Sequence, residues 1–278
     1  MNQQTIQEQI HAELKEHFNP DEIRAFLFWI LPHFQSSPQL SEMELLEIIN
    51  ELKSGKPIQY IFGTAFFGDL EIEVTKDTLI PRPETEELCD LICMHFKGLR
   101  NNSPQTPVKG IDLGTGSGCI PVYLLEKHKN WQFVGVDISQ GALSVAQINA
   151  KKYGVEARFV GVQQDILKEF SLPEDIQLLV SNPPYIALSE KNQMTDRVLK
   201  FEPQQALFTP SRDPLEFYKK IAELILSSAI QNLSIWLEIN QYYPEEIKGL
   251  FIEFGETEIL NDISGNPRFL HCEIKNLF

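Results

Sequence analysis

Short apolar runs alternate with longer amphipathic segments from Lys109 onward, and this alternation restricts the possible folds more than any other feature. Because parallel strands require crossover helices, it predicts an α/β fold with a doubly wound, mainly parallel, seven-stranded sheet. The last two strands have only a short turn between them and should form an antiparallel pair at one edge. The predicted strands lie near 110–113, 132–136, 157–161, 176–181, 233–239, 256–261 and 268–274. The predicted helices between them lie near 117–128, 139–153, 214–230 and 244–253.

The N-terminal part of the chain carries the signals of three helices. Asn19 precedes a proline and two acidic residues, an order typical of a helix start. Residues 41–44 have the spacing of a capping box, and the helix that they open should run to about Lys53. A further helix is expected within 6–18. We therefore predict a small helical domain over residues 1–56.

The hydrophobic period changes between residues 57 and 80. Short alternating apolar runs interrupted by glycines predict a β-hairpin linker over 57–80. The segment 80–86, with two prolines, predicts a rigid turn that leads into a helix over about 84–96. A catalytic domain is expected over 81–278.

The composition argues against some classes of partner. The chain has 278 residues, and its 24 basic and 39 acidic side chains give a formal net charge of −15. A protein that grips nucleic acid normally carries a basic face, so no direct nucleic-acid partner is expected. The longest apolar stretch, residues 23–34, contains Arg24 and is cut by Pro32, too broken for a bilayer span. The polar start 1–8 lacks the order of a signal peptide, and no membrane partner is expected.

The cysteines and histidines show no spacing typical of a disulfide framework or a metal site. The cysteines are expected to be reduced thiols, which favours a cytoplasmic location. The histidines show no paired pattern, and no metal site is predicted. The residues concerned are Cys89, Cys93, Cys119, Cys272, His11, His17, His33, His95, His128 and His271.

A glycine-rich loop follows the first strand of the predicted sheet and opens a helix. Its residues are Gly114, Thr115, Gly116, Ser117 and Gly118. Alternate glycines let the backbone turn sharply and let a ligand approach without Cβ clashes. The lysine of a phosphate-binding Walker loop is absent, which disfavours that kind of nucleotide site. Tight strand–helix turns also use glycine for structural reasons alone, so the loop needs supporting evidence.

Acidic residues follow the next two strands. Asp137 ends the second strand, where an acid in doubly wound folds reaches a ribose diol. Asp137 could instead cap the helix that starts near Ser139, but loop and acid together in this order favour the ribose role. Asp165 could accept from an adenine amino group while Ile166 covers the ring. It could equally cap residues 166–170, and both readings stay open.

Asn182, Pro183, Pro184 and Tyr185 follow the fourth strand. Two prolines cannot continue a sheet ladder, so the strand ends on a stiff turn. The Asn182 side-chain carbonyl and the Pro183 backbone carbonyl would then offer two convergent acceptors, which suit a planar –NH2 group. The Tyr185 ring could lie flat against that group. The geometry would hold an amide or an aromatic amine for attack by its nitrogen.

In the strand order 3-2-1-4-5 usual for methyltransferases, strands 1 and 4 are neighbours at the switch point where ligands bind. The glycine loop and Asn182 would then lie side by side. If the ligand over strands 1 and 2 is S-adenosylmethionine, its methyl group faces the nitrogen that Asn182 holds. Catalysis would come from alignment and local electrostatics, since the motif offers no acid, base or metal.

The combined pattern resembles the class I AdoMet-dependent methyltransferases with a Rossmann-like fold, and more narrowly the HemK/PrmC family. That family methylates the side-chain nitrogen of a glutamine in peptide chain release factors. The likeness covers nearly the whole chain, and its most specific motif is 80–86. The matching segments are 79–86, 112–118, 136–139, 181–186, 202–203 and 265–268.

The resemblance implies an N5-methyltransferase acting on the glutamine of a Gly-Gly-Gln motif in class 1 release factors. Its cofactor would be S-adenosyl-L-methionine, with S-adenosyl-L-homocysteine as product. In that family the N-terminal helices and hairpin help to dock the protein substrate. The resemblance implies that Asn182 holds the substrate amide and lies beside the cofactor. It also implies that Pro183 supplies the second carbonyl acceptor and that Tyr185 bounds the substrate pocket. Glycines 114, 116 and 118 become the methionine-side cradle, and Asp137 becomes the ribose acceptor.

The chain departs from the family pattern after the fifth strand, where Asn240 replaces the usual glycine and Tyr243 replaces glutamine. Pro214 also follows Asp213 where glycine is common. Arg82 is predicted either to belong to a lid or to pair with a nearby acid. Two other functions stay open: an adenine-N6 methyltransferase on DNA or RNA, which uses the same planar amine, and a non-catalytic protein-binding module of the same fold.

Overall fold

The computed structural model describes residues 3–36, 41–99, 107–186, 191, 196–211 and 213–275. Its helices are α1 (Gln3–Leu14), α2 (Pro20–Ser36), α3 (Glu42–Lys53), α4 (Ile58–Phe62), α5 (Pro83–Leu99), α6 (Cys119–Lys127), α7 (Gln140–Lys152), α8 (Asp196–Phe201), α9 (Gln204–Leu207), α10 (Glu216–Leu226) and α11 (Pro244–Phe251). Its strands are β1 (Thr64–Phe67), β2 (Leu70–Glu73), β3 (Lys109–Leu113), β4 (Gln132–Asp137), β5 (Phe159–Gln163), β6 (Leu178–Ser181), β7 (Asn232–Glu238), β8 (Glu256–Asn261) and β9 (Pro267–Lys275). Within the described residues, no helix combines the length and apolarity that a bilayer crossing needs.

The chain divides into two compact units. The first contains residues 1–63 together with 195–201, and the second contains 64–194 together with 202–278. The predicted hairpin β1–β2 is antiparallel and belongs to the second unit. The prediction was wrong for residues 58–62, which form the short helix α4 instead of hairpin strand.

The first unit consists of helices around an apolar core. The two predicted helix starts are confirmed. Asn19 Oδ1 accepts from the backbone N–H groups of Asp21 and Glu22, and the capping box of Ser41 and Glu44 is complete. The helix predicted within 6–18 is α1, which begins three residues earlier, at Gln3, and ends at Leu14, and the segment before Asn19 is a turn. The core side chains include Ile10, Leu14, Ile30, Leu45 and Ile49, all 1% exposed or less.

Helix α8 belongs to this first unit although it lies far from the other helices in sequence. The Arg197 side chain pairs with Glu22 at 3.2 Å, and its guanidinium lies 4.8 Å from the Phe18 ring centroid. The Lys200 ammonium donates to the Ser54 carbonyl. The sequence analysis predicted neither α8 nor α9, because helices of four to six residues carry too few periodic positions to stand out.

The second unit contains the predicted seven-stranded sheet, in the order β5-β4-β3-β6-β7-β9-β8. Its first five strands run parallel and reproduce the expected order 3-2-1-4-5. Strand β9 lies antiparallel between β7 and β8, so the predicted edge pair is confirmed. The third strand begins at Phe159 and not at 157, because residues 156–158 form a 3-10 turn.

Close packing holds the helices on the sheet. Buried residues of β3, β6 and β7 share one apolar cluster with side chains of α10 and α11. A Cβ atom on Gly118 would lie 2.9 Å from that of Ala146, so glycine lets α6 and α7 approach closely. Helix α5 packs on β7. This packing holds the carboxyl ends of the parallel strands β3, β4, β5 and β6 at one edge of the sheet. Ligands bind at this edge in such sheets.

Candidate active site

One cavity of about 410 Å³ lies in the second unit at the carboxyl ends of the parallel strands. The ends of four neighbouring strands contribute to its wall, through Gly114 after β3, Asp137 of β4, Asp165 after β5 and Asn182 after β6. Its volume is in the range of small-molecule sites. The structure thus brings together residues that the sequence analysis took from four separate segments.

Two of the five residues of the glycine loop that were predicted to bind the cofactor line this cavity. Gly114 and Gly116 line the cavity, and both have a positive φ, 79° and 54°, which side chains rarely adopt. Thr115 and Ser117 are buried, and Gly118 packs against α7. In the described structure these three do not line the cavity. Their positions indicate that they support the loop.

Asp137 lies in the cavity wall and holds the loop in place. Its Oδ2 accepts from the Gly116 N–H at 2.8 Å, and its Oδ1 accepts from the Ser139 N–H at 2.9 Å. Burial raises the pKa of Asp137, and the N–H groups of Ser139, Gly116 and Ile138 oppose the shift. The helix cap itself is Ser139, whose hydroxyl accepts from the Ala142 N–H. Since a carboxylate has about four acceptor positions, Asp137 retains capacity for a diol.

Asp165 stabilises its own turn and also lines the cavity, and its contact with an adenine amino group stays a prediction. It lines the cavity, and its Oδ1 also accepts from the Leu167 N–H at 3.1 Å. Ile166 lines the cavity with a side chain that is 7% exposed. Asp165 is therefore a turn-stabilising residue that also faces the space beside Ile166.

The tip of β6 lies against the tip of β3. The Ser181 hydroxyl donates to the Leu113 carbonyl at 2.5 Å, and a Cβ on Gly114 would lie 4.0 Å from the Asn182 carbonyl oxygen. Asn182, Pro183 and Pro184 line the cavity together with the glycine loop. The two proline-rich and glycine-rich turns therefore share one space.

A buried hydrogen-bond chain controls which atom of the Asn182 amide faces the cavity. The Thr85 hydroxyl donates to Glu238 Oε2 at 2.7 Å, and Asn182 Nδ2 donates to Thr85 Oγ1 at 2.9 Å. A hydroxyl has a single proton, so Thr85 can only accept from Asn182 once that proton goes to Glu238. The amide nitrogen must then face Thr85. The acceptor oxygen Oδ1 then points away from Thr85 and is left for another donor.

Tyr185 lies behind this chain. Its hydroxyl donates to Glu238 Oε1 at 3.1 Å, and its carbonyl accepts from Asn240 Nδ2 at 3.0 Å. Tyr185 is half-buried against the apolar core and is not among the described residues that line the cavity. Asn240 therefore holds the turn that carries Tyr185.

Glu238 itself is buried, 1% exposed, at the end of β7. Burial raises its pKa to about 7, and the hydrogen bonds from Thr85 and Tyr185 together with Arg268 oppose the shift. The sequence analysis did not predict that Thr85 and Glu238 belong to the site. The sequence does show a polar residue in the first turn of α5 and an acidic residue at the end of an apolar strand. These two residues predict a contact only when helix α5 is known to pack on strand β7.

The charged residues of the cavity wall all carry the same sign. Among the described residues that line it, the ionisable ones are Asp77, Asp137 and Asp165. Asp77 follows the hairpin, and its carboxyl group lies 2.8 Å from where a Cβ of Gly141 would be. The sequence analysis missed Asp77, which sits in a polar turn without a motif. Three carboxylates favour a ligand with positive charge over a phosphate.

Arg82 pairs with an acid, as one of its two predicted roles required. Its guanidinium donates to both oxygens of Glu202, at 2.7 and 2.8 Å, and Glu202 also accepts from the Ile80 N–H. Glu202 is 5% exposed. The pair links two segments of the family resemblance, 79–86 and 202–203, and positions the turn that precedes Thr85.

Known proteins share this architecture. A family model described as the methyltransferase small domain matches residues 97–207. The solved structure of the hMettl16 catalytic domain in complex with a MAT2A 3′UTR hairpin aligns with a TM-score of 0.54 at 19% identity, covering 82% of this chain and 78% of that one. The sheet order, the glycine-loop cavity and these likenesses define a class I methyltransferase.

Curated relatives indicate the family within the class I methyltransferases to which the chain belongs. A release factor glutamine methyltransferase of Flavobacterium psychrophilum is 38% identical over 277 residues, covering 93% of this chain and 94% of the relative. The protein of the same name from Bacillus subtilis is 37% identical over 220 residues, covering 78% and 75%. The chain belongs to the release factor glutamine methyltransferase family.

Proposed function

We propose that this enzyme transfers a methyl group from S-adenosylmethionine to the side-chain amide nitrogen of the glutamine in the Gly-Gly-Gln motif of class 1 release factors. The observation that carries the proposal is the single cavity lined by Gly116, Asp137 and Asn182. A cofactor site and a clamp for a planar –NH2 group meet there. The names of the curated relatives supply the acceptor.

The residues present fit S-adenosylmethionine, which carries a sulfonium and an ammonium group. The cavity wall offers carboxylates as its charged groups, and it has the size of a small-molecule site. Asp137 has unused acceptor capacity for the ribose diol. Asp165 and Ile166 together offer an acceptor and an apolar surface for adenine. When bound, the cofactor supplies an electrophilic methyl group.

The protein has to orient the nitrogen that attacks this methyl group. An amide nitrogen is a poor nucleophile because its lone pair is delocalised into the carbonyl. Asn182 Oδ1 and the Pro183 carbonyl accept from the two N–H groups of the glutamine, which orients the nitrogen and increases its electron density. Thr85 and Glu238 act as positioning residues, because they determine the orientation of the Asn182 amide. Alignment of this kind accounts for many orders of magnitude in rate.

The amide proton does not require a strong base. Alkylation makes the nitrogen strongly acidic, so the proton leaves afterwards. We propose the cytoplasm as the location of the reaction, and the four free cysteines support a reducing compartment. The helical unit formed by 1–63 and 195–201 is proposed to help to dock the release factor.

Mass spectrometry of a release factor incubated with this enzyme and S-adenosylmethionine tests the proposal. We expect one added methyl group on the glutamine of the Gly-Gly-Gln motif. A release factor with that glutamine replaced by glutamate is the matched control and should stay unmodified. Methyl transfer to adenine in DNA or RNA, with none to the release factor, would establish the alternative activity instead.

Asp137→Ala should weaken the affinity for S-adenosylmethionine by about 10- to 100-fold, because two charge-assisted hydrogen bonds to the ribose are lost. Isothermal titration calorimetry measures the effect, and the melting temperature without cofactor shows whether the glycine loop survives. Asp69→Ala, at an exposed acid of the hairpin turn, serves as control. An unchanged Kd in folded Asp137→Ala would remove this residue from the ribose site.

A further inference from the structure

A cluster of three metal-ligating side chains lies outside the proposed active site, where α5 packs on the antiparallel part of the sheet. It consists of His95 on α5 and of His271 and Glu273 on β9. His95 Nε2 lies 3.0 Å and His271 Nε2 lies 3.1 Å from the same oxygen, Glu273 Oε1. All three atoms lie within 4.8 Å of one another. Methyl transfer as proposed above does not use them.

Two of the three separations between ligand atoms fit tetrahedral coordination, and the third, between the two imidazole nitrogens, lies within 4.8 Å. Ligand bonds of about 2.0–2.1 Å, as zinc forms with imidazole and carboxylate, place neighbouring ligand atoms about 3.3 Å apart. The separations of 3.0 and 3.1 Å are close to that value. Two imidazoles and one carboxylate are typical of zinc and similar divalent transition metals, whereas magnesium and calcium favour oxygen ligands alone.

The surroundings hold His271 in an orientation that suits a ligand. Its Nδ1 lies 3.0 Å from Glu258 Oε1 on β8, which leaves Nε2 for the cluster. A carboxylate on the far nitrogen is the usual partner of a metal-bound histidine. The ring is stacked on Trp236, with centroids 4.0 Å apart and planes inclined by 20°. His271 is therefore fixed from two sides before any ion binds.

We propose that His95, His271 and Glu273 bind a divalent transition metal of the zinc type, with water completing the coordination. The competing arrangement is a metal-free hydrogen-bond network in which a protonated imidazole lies between carboxylates. Both arrangements use the ionised form of the Glu273 carboxylate.

The expected role of the ion is to fasten α5 to the sheet. His95 and Thr85 lie on the same helix, and Trp236 and Glu238 lie on the same face of β7, since strand residues two apart point the same way. One end of the helix–strand contact therefore holds the Asn182 amide, and the other end would hold the metal. Binding should stabilise the folded enzyme, because the ion favours the native state.

Zinc titration of the untagged, chelator-treated full chain tests the proposal. We expect one equivalent of Zn²⁺ to bind with a Kd of about 1 μM or below in competition with a chromophoric indicator, and Co²⁺ to show the visible absorption of a tetrahedral site. The variants His95→Gln and Glu273→Gln should each weaken binding at least about tenfold. Glu258→Gln, which leaves all three ligands, should weaken it about tenfold.

His128→Gln is the matched control, because His128 is stacked on Trp131 outside the cluster. It should bind Zn²⁺ like the unaltered chain. The melting temperature of the unaltered chain should rise with Zn²⁺, a measurement that does not depend on any variant folding. Absence of one-equivalent binding below about 100 μM Zn²⁺, or unchanged binding in folded His95→Gln, would overturn the proposal in favour of the hydrogen-bond network.

Discussion

Asn182→Ala is expected to lower kcat for methyl transfer by at least about 100- to 1000-fold, while the Kd for S-adenosylmethionine changes only a few fold. Loss of one preorganised polar group at a reacting centre typically has an effect of this size. Asn182 lines the cavity at the tip of β6, beside the Gly114 turn. The substitution removes the acceptor for the glutamine –NH2 group but leaves the glycine loop and Asp137 in place. Single-turnover transfer from labelled cofactor and calorimetry measure the two quantities separately.

The control for this variant is Asn232→Ala, at an exposed asparagine that begins β7. It should retain full activity. Near-normal turnover in Asn182→Ala would show that the amide clamp lies elsewhere. A large loss of cofactor affinity in a folded Asn182→Ala protein would make Asn182 chiefly a cofactor residue.

Thr85→Val and Glu238→Gln should each lower kcat by about 10- to 100-fold without weakening the cofactor. Valine has the shape of threonine but cannot accept from Asn182 Nδ2, so the amide loses its preferred orientation. Glutamine at 238 can donate to Thr85, whose proton then turns towards Asn182 and favours the flipped amide. Nitrogen would then face the substrate in place of the acceptor oxygen. Thr85→Ser keeps the hydroxyl and should restore most of the activity.

The pH profile distinguishes this positioning role from a merely structural one. Burial raises the pKa of Glu238 to about 7, with Glu84 adding to the shift and Thr85, Tyr185 and Arg268 opposing it. The ionised form accepts from Thr85, so kcat of the unaltered enzyme should rise with pH up to about 7 and then level off. Below that pH, protonated Glu238 holds Thr85 less well. The rising limb should disappear in Glu238→Gln, and its persistence there would assign the ionisation to another group.

The sequence was sufficient to predict the sheet and the edge at which the site lies. Apolar runs predicted the strands and a mainly parallel sheet, because parallel strands must alternate with crossover helices, and the order 3-2-1-4-5 usual for methyltransferases predicted which strands are neighbours. Gly114, Asp137 and Asn182 were found because each directly follows or ends a strand, and strand ends meet at one edge. These are local signals whose spatial consequence follows from the topology.

The contacts behind the site could not be predicted in the same way. Thr85 and Glu238 are 153 residues apart, and their contact depends on how α5 settles on β7. The cluster of His95, His271 and Glu273 has the same origin, since helix and strand contribute at positions without regular spacing. Tyr185 was placed in the pocket by its nearness to Asn182 in sequence, whereas its hydroxyl turns to Glu238. A stiff turn determines where the chain ends its strand but not where the next ring points.

The assignment of α8 to the first unit has a consequence for dissection of the enzyme. The chain passes from one unit to the other after residue 63, before 195 and after 201. A cut at residue 63 would therefore deprive Arg197 of Glu22 and Phe18, leaving a helix without the surface on which it folds. The N-terminal helices are thus not a detachable appendage. The polypeptide is threaded so that residues 195–201 become part of the first unit before the chain returns to the second unit at Glu202.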